Sequence, residues 1–124
     1  GMDALIDAWL PQMVAPANRG KVAIMDPLRA MCLRSGQAVF EAQIDALLAR
    51  PEVEDLLPAI SCPTLVMCGS EDEWSPPVQH EAIAAAIPNS ELVIVEGAGH
   101  MIQLEAPEAV NEAIARWLAR PAND

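Results

Sequence analysis

The chain has 124 residues, enough for one small domain or one layer of a larger one, and 52 % of them are apolar against 20 % charged. That balance builds a buried core and excludes a disordered chain. A formal charge of -11, from 18 acidic and 7 basic residues, disfavours nucleic acid and anionic membrane surfaces as partners.

Aromatic residues make up 3 %, so the core is expected to be aliphatic. Cys32, Cys62 and Cys68 are scattered, without C-x-x-C or His/Cys ligand spacing. They indicate neither a disulfide framework nor a zinc site, and no metal or cofactor is expected. Reduced thiols fit a cytoplasmic protein. No apolar run is long enough to span a bilayer, and no secretory leader pattern is visible. Gly1 ahead of Met2 reads as a residue left by tag removal, which makes Met2 the expected native start.

From Asp3 to Val14, the residues Leu5, Ile6, Trp9, Leu10 and Met13 fall at the spacing of an amphipathic helix, interrupted at Pro11 and N-capped by Asp3. Ala15 to Gly20 is a loop. Asp26-Pro27 reads as the opening of a helix over Leu28–Leu33 that stops at Ser35-Gly36. A third helix, Gln37 to Ala49, places Phe40, Ile44, Leu47 and Leu48 on one face and ends at Arg50-Pro51. Val53 to Ile60 is a short acidic connection with room for one helical turn, and Cys62-Pro63 breaks the chain again.

Beyond Pro63 the character changes. Thr64-Leu-Val-Met-Cys68 is an apolar run that stops at Gly69, and Leu92-Val-Ile-Val95 is a second one. Neither alternates with polar residues, the mark of parallel strands covered on both faces. Between them lie the loop Gly69 to Pro77 and a helix over Gln79–Ile87, broken at Pro88-Asn89. The second run ends in Gly97-Ala-Gly-His100. Glu105-Ala-Pro-Glu108 signals a last helix, with Val110, Ile114, Trp117 and Leu118 as its buried stripe and Arg120-Pro121 as its stop. The expected class is α/β: a helical region over residues 2–55, then strand–helix–strand–helix over 56–121 around a short parallel sheet.

Two parallel strands joined by a helix send their following loops to the same sheet edge, which brings Asp72 and His100 together. There Asp72 would orient and stabilise the imidazole, and His100 would serve as general base and then general acid. Each residue alone also fits a plain turn aspartate and a loop histidine with a structural hydrogen bond. Glu71 and Glu73 are rivals to Asp72, and His80 sits in a polar helix start where solvation is the expected state.

The combination resembles the C-terminal part of the α/β-hydrolase superfamily. The resemblance rests on Leu57-Pro-Ala-Ile-Ser-Cys-Pro-Thr-Leu-Val-Met-Cys-Gly-Ser-Glu-Asp72 with Pro76-Pro77, and on Gly97-Ala-Gly-His-Met-Ile-Gln-Leu-Glu-Ala-Pro-Glu108 with Trp117-Leu118. In that family the acid follows the penultimate core strand and the histidine follows the last one, positions that fall on Asp72 and His100. Residues 2–55 look like the helical cap inserted ahead of those strands. The run Arg29-Ala-Met-Cys-Leu-Arg-Ser-Gly36 is similar to esterase-like and aminopeptidase-like members.

One part of the pattern is missing. The family's serine sits in Gly-x-Ser-x-Gly at a strand-to-helix elbow. Ser35, Ser61, Ser70, Ser75 and Ser90 are the serines of this chain, and none is flanked in that way. Ser70 and Ser75 share the loop edge with His100 but lack an elbow and its oxyanion donors. Cys68 lies inside an apolar strand, where a thiolate is disfavoured. The resemblance implies an ester, amide or lactone hydrolase carrying acid and base without nucleophile, and so inactive alone. The alternative is a non-enzymatic oligomeric or small-ligand-binding protein with an apolar cleft. A two-stranded sheet leaves an edge unpaired, so a homodimer, or a partner chain supplying the missing half, is expected.

Overall fold

The computed structural model describes residues 1–121. Helix α1 (Met2–Trp9) buries Ile6 completely, and Pro11, which has no N–H to donate, turns the following residues into a 3₁₀ segment, Leu10–Met13. A second 3₁₀ turn, Pro16–Asn18, precedes helix α2 (Val22–Leu48). Ile6, Leu10, Val14, Ile24 and Leu28 form one core cluster, flanked by Met13 and Met101. Burying an aliphatic side chain of this size contributes about 1.5–3 kcal/mol.

Two local expectations are corrected here. Asp3 is not an N-cap but lies in the first turn of α1, where its carboxylate meets Arg29 at 2.6 Å. Arg29 also pairs with Asp7, which ties α1 to α2. Helix α2 begins at Val22 after an extended Lys21, and not at Asp26-Pro27. Seating Ile24 and Leu28 in the core outweighs the ladder bond that Pro27 forfeits on the exposed side. The expected separation at Ser35-Gly36 is present: Gly36, at φ 74° and ψ 172°, is non-helical and divides α2 into two helices across a kink.

After the 3₁₀ turn Glu54–Ala59, strand β1 (Thr64–Gly69), helix α3 (Pro77–Ala86) and strand β2 (Ser90–Val95) follow in order. The strands are parallel and pair from Thr64 with Ser90 to Gly69 with Val95, and α3 packs against both. Helices α4 (Ile102–Glu105) and α5 (Pro107–Leu118) close the described chain. Val95, Ala98 and Val110 form a second core cluster between β2 and α5.

The two-sided cover expected for the strands is incomplete. Val66, Cys68 and Val95 are buried, whereas Ile94 is exposed. On α5 the buried residues are Val110 and Ala113, while Ile114 and Leu118 of the expected stripe face out. The stripe on the second half of α2 is likewise unburied, with Ile44, Leu47 and Leu48 exposed and Phe40 half-buried. These residues have the right spacing but, among the described residues, too little sheet to pack on. No helix of the described residues is long and apolar enough to cross a membrane.

Candidate active site

The parallel register sets the site. Gly69 lies opposite Val95 at the ends of β1 and β2, and both chains leave the sheet there. The two loops are then stitched together: Ser70 N–H donates to Val95 O at 3.0 Å, Glu71 N–H to Ala98 O at 2.9 Å, and Gly97 N–H to Ser70 Oγ at 2.9 Å. The loops approach so closely that a Cβ at Gly69 would run into the Ala98 carbonyl, and one at Gly99 would lie 2.6 Å from the Ala15 nitrogen. Glycine is required at both positions because there is no room for a side chain.

Asp72 is 5 % exposed. Its Oδ1 accepts the Trp74 and Ser75 N–H groups, both at 2.9 Å, which fixes the carboxylate and turns Oδ2 toward His100 Nδ1 at 2.9 Å. An ionised carboxylate accepts hydrogen bonds and donates none, so the facing Nδ1 carries the imidazole proton and Nε2 keeps its lone pair. The His100 side chain is about one third exposed, at 36 %. The arrangement can accept a proton at Nε2 and stabilise the resulting imidazolium through Asp72.

The rivals fall away. Glu71 and Glu73 are exposed, and Glu73 is engaged with Arg19 at 3.2 Å. His80 is half-buried and not fully solvated, with its ring 3.4 Å from the Pro76 carbonyl at the start of α3. Among the described residues, no serine hydroxyl bonds to the His100 ring, and the Ser70 hydroxyl is occupied by Gly97 N–H. Cys68 is buried, and that burial, together with the Asp72 and Glu81 carboxylates, pushes its thiol up from the ordinary range. It is not a thiolate nucleophile. The described residues contain no cluster of His, Cys, Asp and Glu able to hold a metal ion.

Sequence reasoning missed the residues that hold the two loops against the N-terminal segment. His100 N–H donates to Met13 O at 3.0 Å. Arg19 Nε donates to the Pro11 and Val14 carbonyls at 2.7 and 3.1 Å while its Nη2 reaches Glu73 in the acid loop. Glu105, read above as part of a helix start, is the last residue of α4 and accepts N–H groups from Ala15, Asn18, Gly99 and Met101. No local pattern announces the bonds that join the two segments, because their partners are far apart in the chain, 90 residues for Ala15 and Glu105.

A cavity of about 560 Å³ borders residues bonded to the pair, although neither Asp72 nor His100 lines it. Met13 and Trp74, each bonded through its backbone to His100 or Asp72, line it together with Trp9, Phe40, Met31 and Leu5. The Trp9 ring stands 6.2 Å from Phe40 and 6.4 Å, edge-on, from Trp74, so an aromatic wall joins the helices to the acid loop. No charged side chain lines this space. A second hollow, of about 920 Å³, lies between residues 47–57 and α3 and includes neither loop of the pair.

Comparison with known proteins gives this geometry its context. The model of the "Alpha/beta hydrolase family" matches residues 2–113. A thermophilic esterase from Thermogutta terrifontis superimposes with a TM-score of 0.81 at 34 % identity, over 95 % of this chain and 44 % of the esterase. The enol-lactonase from Burkholderia xenovorans LB400 gives a TM-score of 0.88 at 24 % identity over 97 % of this chain and 46 % of its own, a likeness of fold. A segment of the polyketide synthase ThaQ from Burkholderia thailandensis is 36 % identical over 92 residues, 72 % of this chain and 4 % of the synthase. The chain thus spans less than half the length of each of these relatives. Since the family model runs from α1 through both loops and into α5, the chain belongs to the α/β-hydrolase family.

Proposed function

We propose that this chain carries the acid–base half of a serine-hydrolase site acting on ester, amide or lactone bonds, with Asp72 and His100 as the catalytic pair. The observation that carries the reading is the buried Asp72 carboxylate, pinned by two backbone N–H groups and set 2.9 Å from His100 Nδ1. In this role His100 Nε2 takes the proton of an attacking serine hydroxyl as the Oγ–carbonyl bond forms. It then returns that proton to the departing alcohol or amine, and the same base activates the water that releases the acid. The 124 residues hold no Gly-x-Ser-x-Gly, so the serine and its oxyanion donors come from outside them, and the chain by itself is inactive.

Residues 2–55 act as the cap over this site, with the 560 Å³ cavity holding a small apolar group of the substrate. The likeness to the esterase supports ester chemistry. The free edge of β1, whose partner on the other side is β2, receives a strand from the half that carries the nucleophile. Without that half, a second copy of this chain covers the edge, giving a homodimer. Three free cysteines favour a cytoplasmic setting.

The cavity also supports a second reading, a non-enzymatic oligomer that binds a small apolar ligand. Hydrolysis of p-nitrophenyl esters separates the two. On the first reading the chain alone is inactive, and turnover appears when a nucleophile-bearing half is supplied and disappears with His100→Ala. Turnover that survives His100→Ala, or no turnover in any assembled form, removes the catalytic reading. Light scattering at micromolar concentration tests the assembly, and a compact, stable monomer contradicts it.

A further inference from the structure

We infer that Glu105 is a positioning residue for His100, and that it makes the placement of the imidazole depend on the docking of residues 13–18. The inference rests on the reading of Asp72 and His100 as an acid–base pair. Asp72 holds the ring at one nitrogen, which leaves open what holds the backbone that carries the ring.

The answer lies in the four bonds of one carboxylate. Glu105 Oε2 accepts the N–H groups of Gly99 at 2.9 Å and Met101 at 3.2 Å, the residues on either side of His100. Glu105 Oε1 accepts Ala15 N–H at 2.7 Å and Asn18 Nδ2 at 3.0 Å. The backbone N–H of His100 itself goes to Met13 O at 3.0 Å. Every N–H from Gly99 to Met101 is thus held either by Glu105 or by the segment that Glu105 also holds.

One of the four bonds is a cap: α4 is a single turn, and Glu105 reaches back to the N–H of Met101, the residue that precedes the helix. The other three go beyond capping, to Gly99, Ala15 and Asn18. Glu105 closes α4 and yet points its acceptors at two segments outside the helix. Asn18 is 5 % exposed, and its amide is satisfied by Glu105 and, at 3.5 Å, by Gly97 O of the same loop. The Gly99 backbone leaves no gap against Ala15, so the segment and the loop cannot shift independently. Met101 also packs against the core formed by α1 and α2, which places the position after His100 under control of the helical region.

The test uses the chain as it stands, with ¹⁵N-labelled histidine and the Nδ1–H signal of His100 as the readout. In the wild-type chain that proton is held by Asp72 and protected. Glu105→Ala removes both acceptor oxygens and with them all four bonds: the His100 Nδ1–H signal is expected to vanish into exchange. The Gly99 and Met101 amides are expected to exchange about tenfold faster or more, as befits loss of hydrogen bonds to a charged group. Glu105→Gln keeps the shape and one acceptor oxygen, and should restore part of both readouts. Thermal unfolding of each variant checks that the fold persists. If Glu105→Ala does not fold, Glu105→Gln decides, since a His100 signal at full strength there overturns the proposal.

Asp72→Asn separates this claim from the one beneath it. With its oxygen taken by Trp74 and Ser75, an asparagine would turn its amide toward Nδ1 and drive the ring proton to Nε2. Loss of the Nδ1–H signal in Asp72→Asn but full retention in Glu105→Ala refutes the role of Glu105 alone. Retention in Asp72→Asn refutes the acid–base pair itself.

Discussion

The loops after the two strands and the second half of α2 obey opposite rules. Around Asp72 and His100 almost every backbone N–H has a partner, and several of those partners are far away in sequence. From residue 37 to 48 the chain is helical, but of its residues only Phe40 is even half-buried, and Leu48 is 81 % exposed. One region is fixed by contacts, the other by local helix propensity. On the proposed function, the loosely packed region is where a nucleophile-bearing half would dock. The site loops are complete as supports for an acid and a base, while the apolar faces of α2, Ile94 on β2 and Leu118 on α5 lack their cover.

The strongest way to break that comparison acts on the site. In an assembled, active hydrolase, Asp72→Asn is expected to lower kcat by about 10⁴-fold while leaving the melting temperature nearly unchanged, as expected when a triad acid is replaced without loss of geometry. Steady-state kinetics alongside a thermal melt check both halves of the statement. An equal fall in stability would mean that the carboxylate serves the fold and not the imidazole.

The next effect sharpens the contrast within the helices. Leu28, 1 % exposed, should cost about 2–5 kcal/mol when changed to Ala, from the lost transfer energy and the cavity left behind. Leu48→Ala, at the exposed end of α2 beyond the Gly36 break, should stay within about 0.5 kcal/mol in the isolated chain. Urea denaturation of the two variants side by side reads the difference. A costly Leu48→Ala would show that this end of α2 is already covered in solution, as a homodimer requires.

Gly99→Ala probes the contact between the regions. Its new Cβ has backbone as its nearest neighbour, at 2.6 Å, so it must push Ala15 away from the His100 loop. Overpacking of this kind costs about 1–3 kcal/mol. Hydrogen exchange should show the Ala15 and His100 amides loosened together. Loosening of one without the other would uncouple the two segments.

The smallest effect concerns the thiols. Cys62 is exposed, whereas Cys68 is buried with its thiol pushed up by that burial, so iodoacetamide near pH 8 should label Cys62 first and Cys68 only on unfolding. Mass spectrometry of partially labelled protein reads the order. Early labelling of Cys68 would mean that β1 opens readily at its end.

The parts of this fold that were legible in the sequence share a local cause. The runs at Leu65–Cys68 and Leu92–Val95 announce parallel strands, and the parallel order alone carries Asp72 and His100 to one edge. What was misread shares a cause as well. The start of α2 at Val22 has no side-chain cap to announce it, and its position follows from seating Ile24 and Leu28 on α1. Ile114 and Leu118 have helical spacing but no second surface among the described residues, so periodicity overstated their burial. Glu105 carried a correct local signal, since Pro107 and Glu108 do open α5, and that signal hid its tertiary role.

The measurement that bears most directly on the central claim is covalent labelling with a fluorophosphonate, which captures a serine that a neighbouring base has activated. The account predicts no label on the isolated chain. It predicts a label on the nucleophile of the added half in the assembled enzyme, lost with His100→Ala. A label on Ser70, Ser75 or any other serine of this chain would contradict it, because the attacker would then be here and not elsewhere.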